Sequence, residues 1–192
     1  GFHVSATFMF ALPGETHADR LAAAHMANDL QLDMVRFNNA TPYPGTTLWD
    51  MGKQQGRVFV QGQYENFNSV STFIENPFNK MPFSYVPEGA DENRIRTDIL
   101  ASYLAFYMNW KRVLRIFSSG HREGVGWFSA GGSWRERLRK LPAAALLGLF
   151  LGAKFSEFLF NLLTGRHSDI TLAEFARLMT GKPAPHNQFP AD

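Results

Sequence analysis

The first forty residues alternate between apolar runs of strand length and a small-residue segment of helical length. Residues 2–12, FHVSATFMFAL, carry no Asp, Glu, Lys or Arg and are mostly aromatic, β-branched or small. That pattern predicts a strand buried on both faces, as in a parallel sheet. Pro13-Gly14 is expected to end it. Thr16 then starts a helix, with Asp19 three residues on in a capping-box arrangement that satisfies the exposed N–H groups of the first turn. The Ala-rich segment 17–31 continues that helix, and Gln31-Leu32-Asp33 turns the chain. Residues 34–39, MVRFNN, read as a second strand. A strand, a helix of this length and a strand form a βαβ unit, which demands parallel pairing and a right-handed crossover.

The pattern changes after residue 40. Thr41-Pro42-Tyr43-Pro44-Gly45-Thr46 excludes regular structure, and a short helix is expected over 47–54. Residues 55–90 show no sustained period and read as a long ordered loop with a short strand at 57–60. Loops of that length are usually functional or packed on something. Helical periodicity returns over 91–118, where Ile95, Ile99, Tyr103, Phe106, Tyr107, Trp110, Val113, Leu114 and Phe117 recur at three- and four-residue spacing. The Gly- and Ser-rich residues 119–133 predict a linker. A basic helical stretch follows at 134–140, then a strongly apolar stretch at 141–163. A last helix, 171–180, starts at Thr171 with Glu174 three residues on and is stopped by Gly181-Lys182-Pro183. The tail 183–192 is expected to be disordered, and no internal repeat is present.

Composition narrows the possibilities. The 192 residues are 45% hydrophobic, enough for one ordinary domain and too apolar for a disordered chain. The 18 Phe imply extensive apolar burial, within the chain or against something outside it. Cys is absent, which excludes disulfides and thiolate metal sites within these residues. His3, His17, His25, His121, His167 and His186 show no metal-site spacing. Charge is uneven: residues 1–100 carry 7 Lys+Arg against 11 Asp+Glu, and residues 101–192 carry 12 against 6. The two parts are therefore expected to meet different surroundings. No secretory pattern opens the chain, and Gly1-Phe2-His3-Val4 reads like the entry to a strand.

The chemistry rests on two linked turns. TFMFALPGET at 7–16 and DMVRFNNATPYPGTTLW at 33–49 resemble the late strands of the radical S-adenosylmethionine (SAM) barrel. In that superfamily, a strand ending in a Gly-Leu-Pro-Gly-Glu-Thr-like turn leads to a helix. The next strand leads to a Thr-Pro-Tyr-Pro-Gly-Thr-like turn. Ala11 departs from the pattern, standing where such turns usually carry Gly. Phe83-Ser84-Tyr85-Val86-Pro87-Glu88-Gly89, then a helix with Phe106-Tyr107 and Lys111-Arg112-Val113-Leu114, looks like the post-barrel region of the cobalamin-binding branch. That branch includes enzymes similar to the anaerobic cyclase of bacteriochlorophyll synthesis and to methyltransferases of hopanoid and antibiotic pathways. Asn109-Trp110 replaces the Arg-Pro pair often found there. The resemblance covers roughly residues 1–118.

The resemblance implies an α/β fold: a partial (β/α) barrel, holding the last parallel strands, followed by a mainly α-helical C-terminal region. It divides residues 1–118 into barrel residues 1–54 and a post-barrel loop and helix 55–118, and the residue pattern adds the linker 119–133, a basic and apolar helical tail 134–182, and the tail 183–192. It implies a SAM pocket at two strand ends, with Phe10, Ala11, Leu12, Pro13, Gly14, Glu15, Asn38, Asn39 and Tyr43 as candidate contacts. Sites in parallel barrels assemble at such ends. Glu15 is read as bracing its turn rather than doing acid–base work, since turn chemistry alone explains such residues. Asn38 and Asn39 are read either as ligand contacts or as satisfying loop backbone, and Tyr43 either as pocket lining or as a packed loop residue.

Enzymes of this kind hold a 4Fe–4S cluster through a CxxxCxxC motif and cleave SAM reductively to a 5′-deoxyadenosyl radical. Both the cluster ligands and any cobalamin domain are expected upstream of Gly1, so these residues alone are expected to be inactive. The implied partners are a small-molecule substrate and the N-terminal part of the same protein. Nucleic acid is not expected. The segment 134–163 is read either as a core helix or as a membrane-surface contact, because its longest uncharged run, 141–153, falls short of the about 20 residues a span needs. The expected location is the cytoplasm, with peripheral membrane contact under the second reading. The alternatives are a radical SAM methylthiotransferase and a non-catalytic membrane-surface or interaction module.

Overall fold

Strands β1 (Ser5–Phe10) and β2 (Met34–Asn39) pair in parallel, joined by helix α1 (His17–Asp29). The register sets Ser5 against Met34 and Phe10 against Asn39, so both strands end at the same level. The computed structural model describes residues 4–30, 32–67, 80–109, 149–150 and 152–180. Among the described residues four further helices follow: α2 (Thr47–Gln54), α3 (Glu92–Tyr107), α4 (residues 152–164) and α5 (Leu172–Thr180). The chain is thus a mixed α/β fold with a two-stranded parallel sheet and several helices.

Local chemistry sets most element bounds. Thr16 caps α1 in a full capping box, its side chain accepting from the Asp19 N–H while the Asp19 carboxylate accepts from the Thr16 N–H at 2.8 Å. Glu174 does the same for Thr171 at the start of α5, also at 2.8 Å. β1 is shorter than the apolar run predicted. It ends at Phe10 rather than at Pro13, because Ala11 turns into the left-handed region with φ +65°. α1 ends at Asp29, two residues before the pattern suggested, where Leu30 becomes extended. α3 ends at Tyr107, with Met108 as its cap. The expected strand at 57–60 reduces to one antiparallel bridge, Val58 with Tyr85. Gly52 permits that packing, since a Cβ there would stand 2.8 Å from Val58 Cγ2. Residues 110–118, the linker 119–133, residues 134–148 and the tail 183–192 lie outside the described residues.

α3 is the centre of the molecule. Every residue from Ile95 to Phe106 is buried, as expected of a helix covered all round. On one side Ile95, Ile99, Tyr103 and Phe106 pack with Phe10, Val35, Phe37, Phe83 and Val86. On the other, Leu100, Ala101, Leu104 and Ala105 pack with Phe158 and Leu162 of α4 and Phe175 and Leu178 of α5. Among the described residues, no helix is long and apolar enough to cross a membrane.

The sheet has two different edges. On β2 the N–H groups of Val35 and Phe37 point away from β1. They donate to the Tyr107 and Tyr103 hydroxyls of α3, at 3.2 and 3.0 Å. Tyr107 in turn donates to the Val35 carbonyl at 2.9 Å. That edge is therefore sealed by side chains. On β1 the carbonyls of Val4 and Phe10 accept from Met34 and Ala40 of the β2 segment, so the alternate residues Ser5, Thr7 and Met9 face away from β2. No described strand pairs with them. One face of the sheet packs on α3, while Ser5, Thr7, Met9, Met34 and Arg36 on the other are exposed.

Candidate functional site

Parallel pairing brings the two turns together at one end of the sheet. The Ala40 N–H donates to the Phe10 carbonyl at 2.7 Å, joining the last strand residue of β1 to the first residue beyond β2. The first turn, residues 11–15, begins with Ala11 at φ +65°, fully buried, and passes through Gly14 at φ +77°. A left-handed non-glycine residue costs roughly 1–2 kcal/mol, so something must hold it. Glu15 does: its carboxylate accepts from the Ala11 N–H at 2.6 Å, and its own N–H donates to the Leu12 carbonyl at 3.1 Å. This is the bracing contact that the sequence suggested for Glu15. A positive φ of this kind is the conformation that glycine adopts without strain.

The other predicted residues fall into two groups. Phe10 is fully buried, with its ring 5.7 Å from that of Phe37, so its side chain belongs to the core behind the sheet. Only its backbone reaches the turn. Leu12, Pro13 and Gly14 are exposed. Asn38 and Asn39 are both buried, and the Oδ1 atom of each has no hydrogen-bond partner among the described residues. The same holds for Thr41 Oγ1. Three orphaned acceptors on four successive positions are unusual, since buried polar groups are nearly always paired. Tyr43 is exposed, and its hydroxyl donates to the Phe67 carbonyl at 3.4 Å. Its ring joins an aromatic cluster with Phe67, Trp49 and Tyr64.

Behind the turn lies a charged network that sequence reading missed. Arg20 and Asp98 are both buried, and Arg20 Nε donates to Asp98 Oδ2 at 2.7 Å. Arg20 Nη1 also reaches Glu15 Oε2 at 3.4 Å. His17 Nδ1 lies 2.9 Å from the same Asp98 oxygen. Burial pushes the Glu15 carboxyl above its ordinary range, and the Ala11 N–H and Arg20 draw it back only in part. For His17, burial opposes the charged form, but the hydrogen bond and charge of Asp98 outweigh it and raise the imidazole above its usual value. The available signal was Asp98 itself, a charge set between Ile95 and Ile99 on an otherwise apolar helix face.

The chain is similar to an uncharacterized methyltransferase of Pyrococcus horikoshii, 40% identical over 50 residues. The match covers 26% of this chain and 11% of that protein. No family profile matches the chain. No solved structure matches it either.

Proposed function

We propose that these residues are the C-terminal part of a radical SAM enzyme, the last strands of its barrel and the helices that pack behind them. The reading rests on the parallel register that sets Phe10 beside Asn39, because it brings the two motif turns to one strand-end surface. The sealed edge of β2 suits a terminal strand, and the edge of β1, which pairs with no described strand, suits further strands supplied by preceding sequence. Parallel sheets are ordinarily covered on both faces, which fits the exposed face of Thr7, Met9 and Arg36 lining a barrel interior. The likeness to a protein named as a methyltransferase agrees with enzymatic SAM chemistry and with methyl transfer as its outcome.

The cofactors divide by fit. The chain has no Cys, and the described residues contain no group of three or more His, Asp or Glu able to hold a metal. The iron–sulfur cluster is therefore assigned to residues outside this chain. SAM fits better. Asn38 Oδ1, on the sheet face shared with Met9, is an orphaned acceptor suited to the amino and hydroxyl donors of an adenosyl or methionyl group, while Asn39 shares the core-side face of its register partner Phe10. Leu12, Pro13 and Gly14 are exposed at the same end of the sheet, where the Ala40 N–H joins the Phe10 carbonyl, and Leu12 offers an apolar contact. When bound, SAM and the cluster supply the reductive cleavage that starts radical chemistry. The residues of this chain bind and orient, and Glu15 holds the turn without reaching the reacting atoms.

The test is anaerobic reconstitution of the full-length protein followed by reduction in the presence of SAM. Formation of 5′-deoxyadenosine is the expected result. A protein carrying an intact cluster that yields none under these conditions refutes the reading.

A further inference from the structure

The turn 11–15 is held from α3, a helix that lies far from it in sequence. Glu15 Oε2 accepts from the Ala11 N–H at 2.6 Å and has Arg20 Nη1 3.4 Å away. Arg20 Nε is fixed by Asp98 at 2.7 Å, and the Asp98 side chain is 1% exposed. A planar guanidinium can serve two carboxylates at once only while both remain in place. We propose that Asp98 is a positioning residue for the Ala11–Glu15 turn. Its charge keeps Arg20 divided between two carboxylates, and that division leaves Glu15 turned toward the Ala11 N–H.

The expected failure follows from the same geometry. If the Asp98 charge is removed, Glu15 is the one carboxylate paired with Arg20 among the described residues, and Arg20 swings to it fully. The Glu15 carboxylate is then drawn away from Ala11. The left-handed Ala11, whose conformation is unfavourable without that bond, relaxes, and the turn loses its shape. Among the described residues, the Asp98 carboxylate bonds Arg20 and His17. Its effect on ligand binding runs through Arg20 and Glu15, and that consequence rests on the SAM reading above.

Two measurements on the full-length, cluster-loaded protein test this. In Asp98→Asn, SAM affinity by equilibrium dialysis is expected to fall about tenfold, the size of coupling usual within one hydrogen-bond network. Adding Glu15→Gln to that variant is expected to cause little further loss, because both changes break the same chain of contacts. Independently of any ligand, the Ala11 amide is expected to exchange with solvent about tenfold faster in Asp98→Asn, while amides in the middle of β2 stay unchanged. Unaltered Ala11 exchange, or losses in affinity that simply add, would overturn the proposal. Should Asp98→Asn not fold, Arg20→Lys keeps the buried charge but lacks the fork, and the same two readouts apply to it. If the wild-type protein fails to bind SAM, the functional reading falls while Ala11 exchange still decides the role of Asp98.

Discussion

At the scale of single residues, the molecule turns on Ala11. Its left-handed backbone closes the end of β1, and nothing in the local sequence announces it: Ala has no preference for that region, and the apolar run continues through Leu12. Only the likeness to Gly-containing turns pointed there. The conformation makes a comparative prediction. Ala11→Gly loses a buried methyl and gains chain freedom when unfolded, but it sheds the left-handed strain. The net change is expected within about 1 kcal/mol of zero. Ala101→Gly, at an equally buried helical position, loses the methyl and the helix preference with no such relief, and should cost about 1–2 kcal/mol. Thermal unfolding of the two variants checks this, and equal losses would contradict a strained Ala11. The orphaned oxygens of Asn38, Asn39 and Thr41 were also beyond the sequence. Their burial depends on packing, and the residue types alone suit a loop as well as a ligand surface.

Among elements, what was legible is what is local. The capping boxes at Thr16 and Thr171, the extent of β2 and the short helix α2 follow from neighbouring residues, and all four stand where the pattern put them. What was not legible joins distant segments. Arg20 and Asp98 are 78 residues apart, and the tyrosines that seal β2 stand 66 and 72 residues from the N–H groups they accept. No periodicity in the sequence reports such pairings. The network that docks α1 on α3 also carries a pH dependence. His17 faces Asp98 of α3, with Arg20 on its own helix and Asp169 near α5 adding their charges, and Glu174 of α5 senses it in turn. Its imidazole is raised in the folded state. The stabilisation is therefore complete below the unfolded value of about 6.5 and is lost as pH rises through the higher folded value. Amides of α1 are expected to exchange progressively less well protected as pH rises through that window, after correction for intrinsic exchange rates. His17→Asn should abolish that extra loss, and a wild-type profile matching that of the variant would remove His17 from the docking.

For the whole molecule, the asymmetry of the sheet is the decisive feature. A parallel pair with one edge closed by tyrosines, and the other paired with no strand among the described residues, is asymmetric, and the proposed barrel places its further strands at the second edge. The apolar count raised burial within the chain or against something outside it, and the two edges differ in how they are covered. The same arrangement sets the two turns at one end of the sheet, and a SAM molecule bound as proposed would touch both. Hydrogen exchange of the full-length, cluster-loaded protein with and without SAM tests this most directly. The account predicts that peptides covering residues 10–16 and 37–44 gain protection together on SAM binding. SAM binding that protects other regions and leaves both of these unchanged would contradict it.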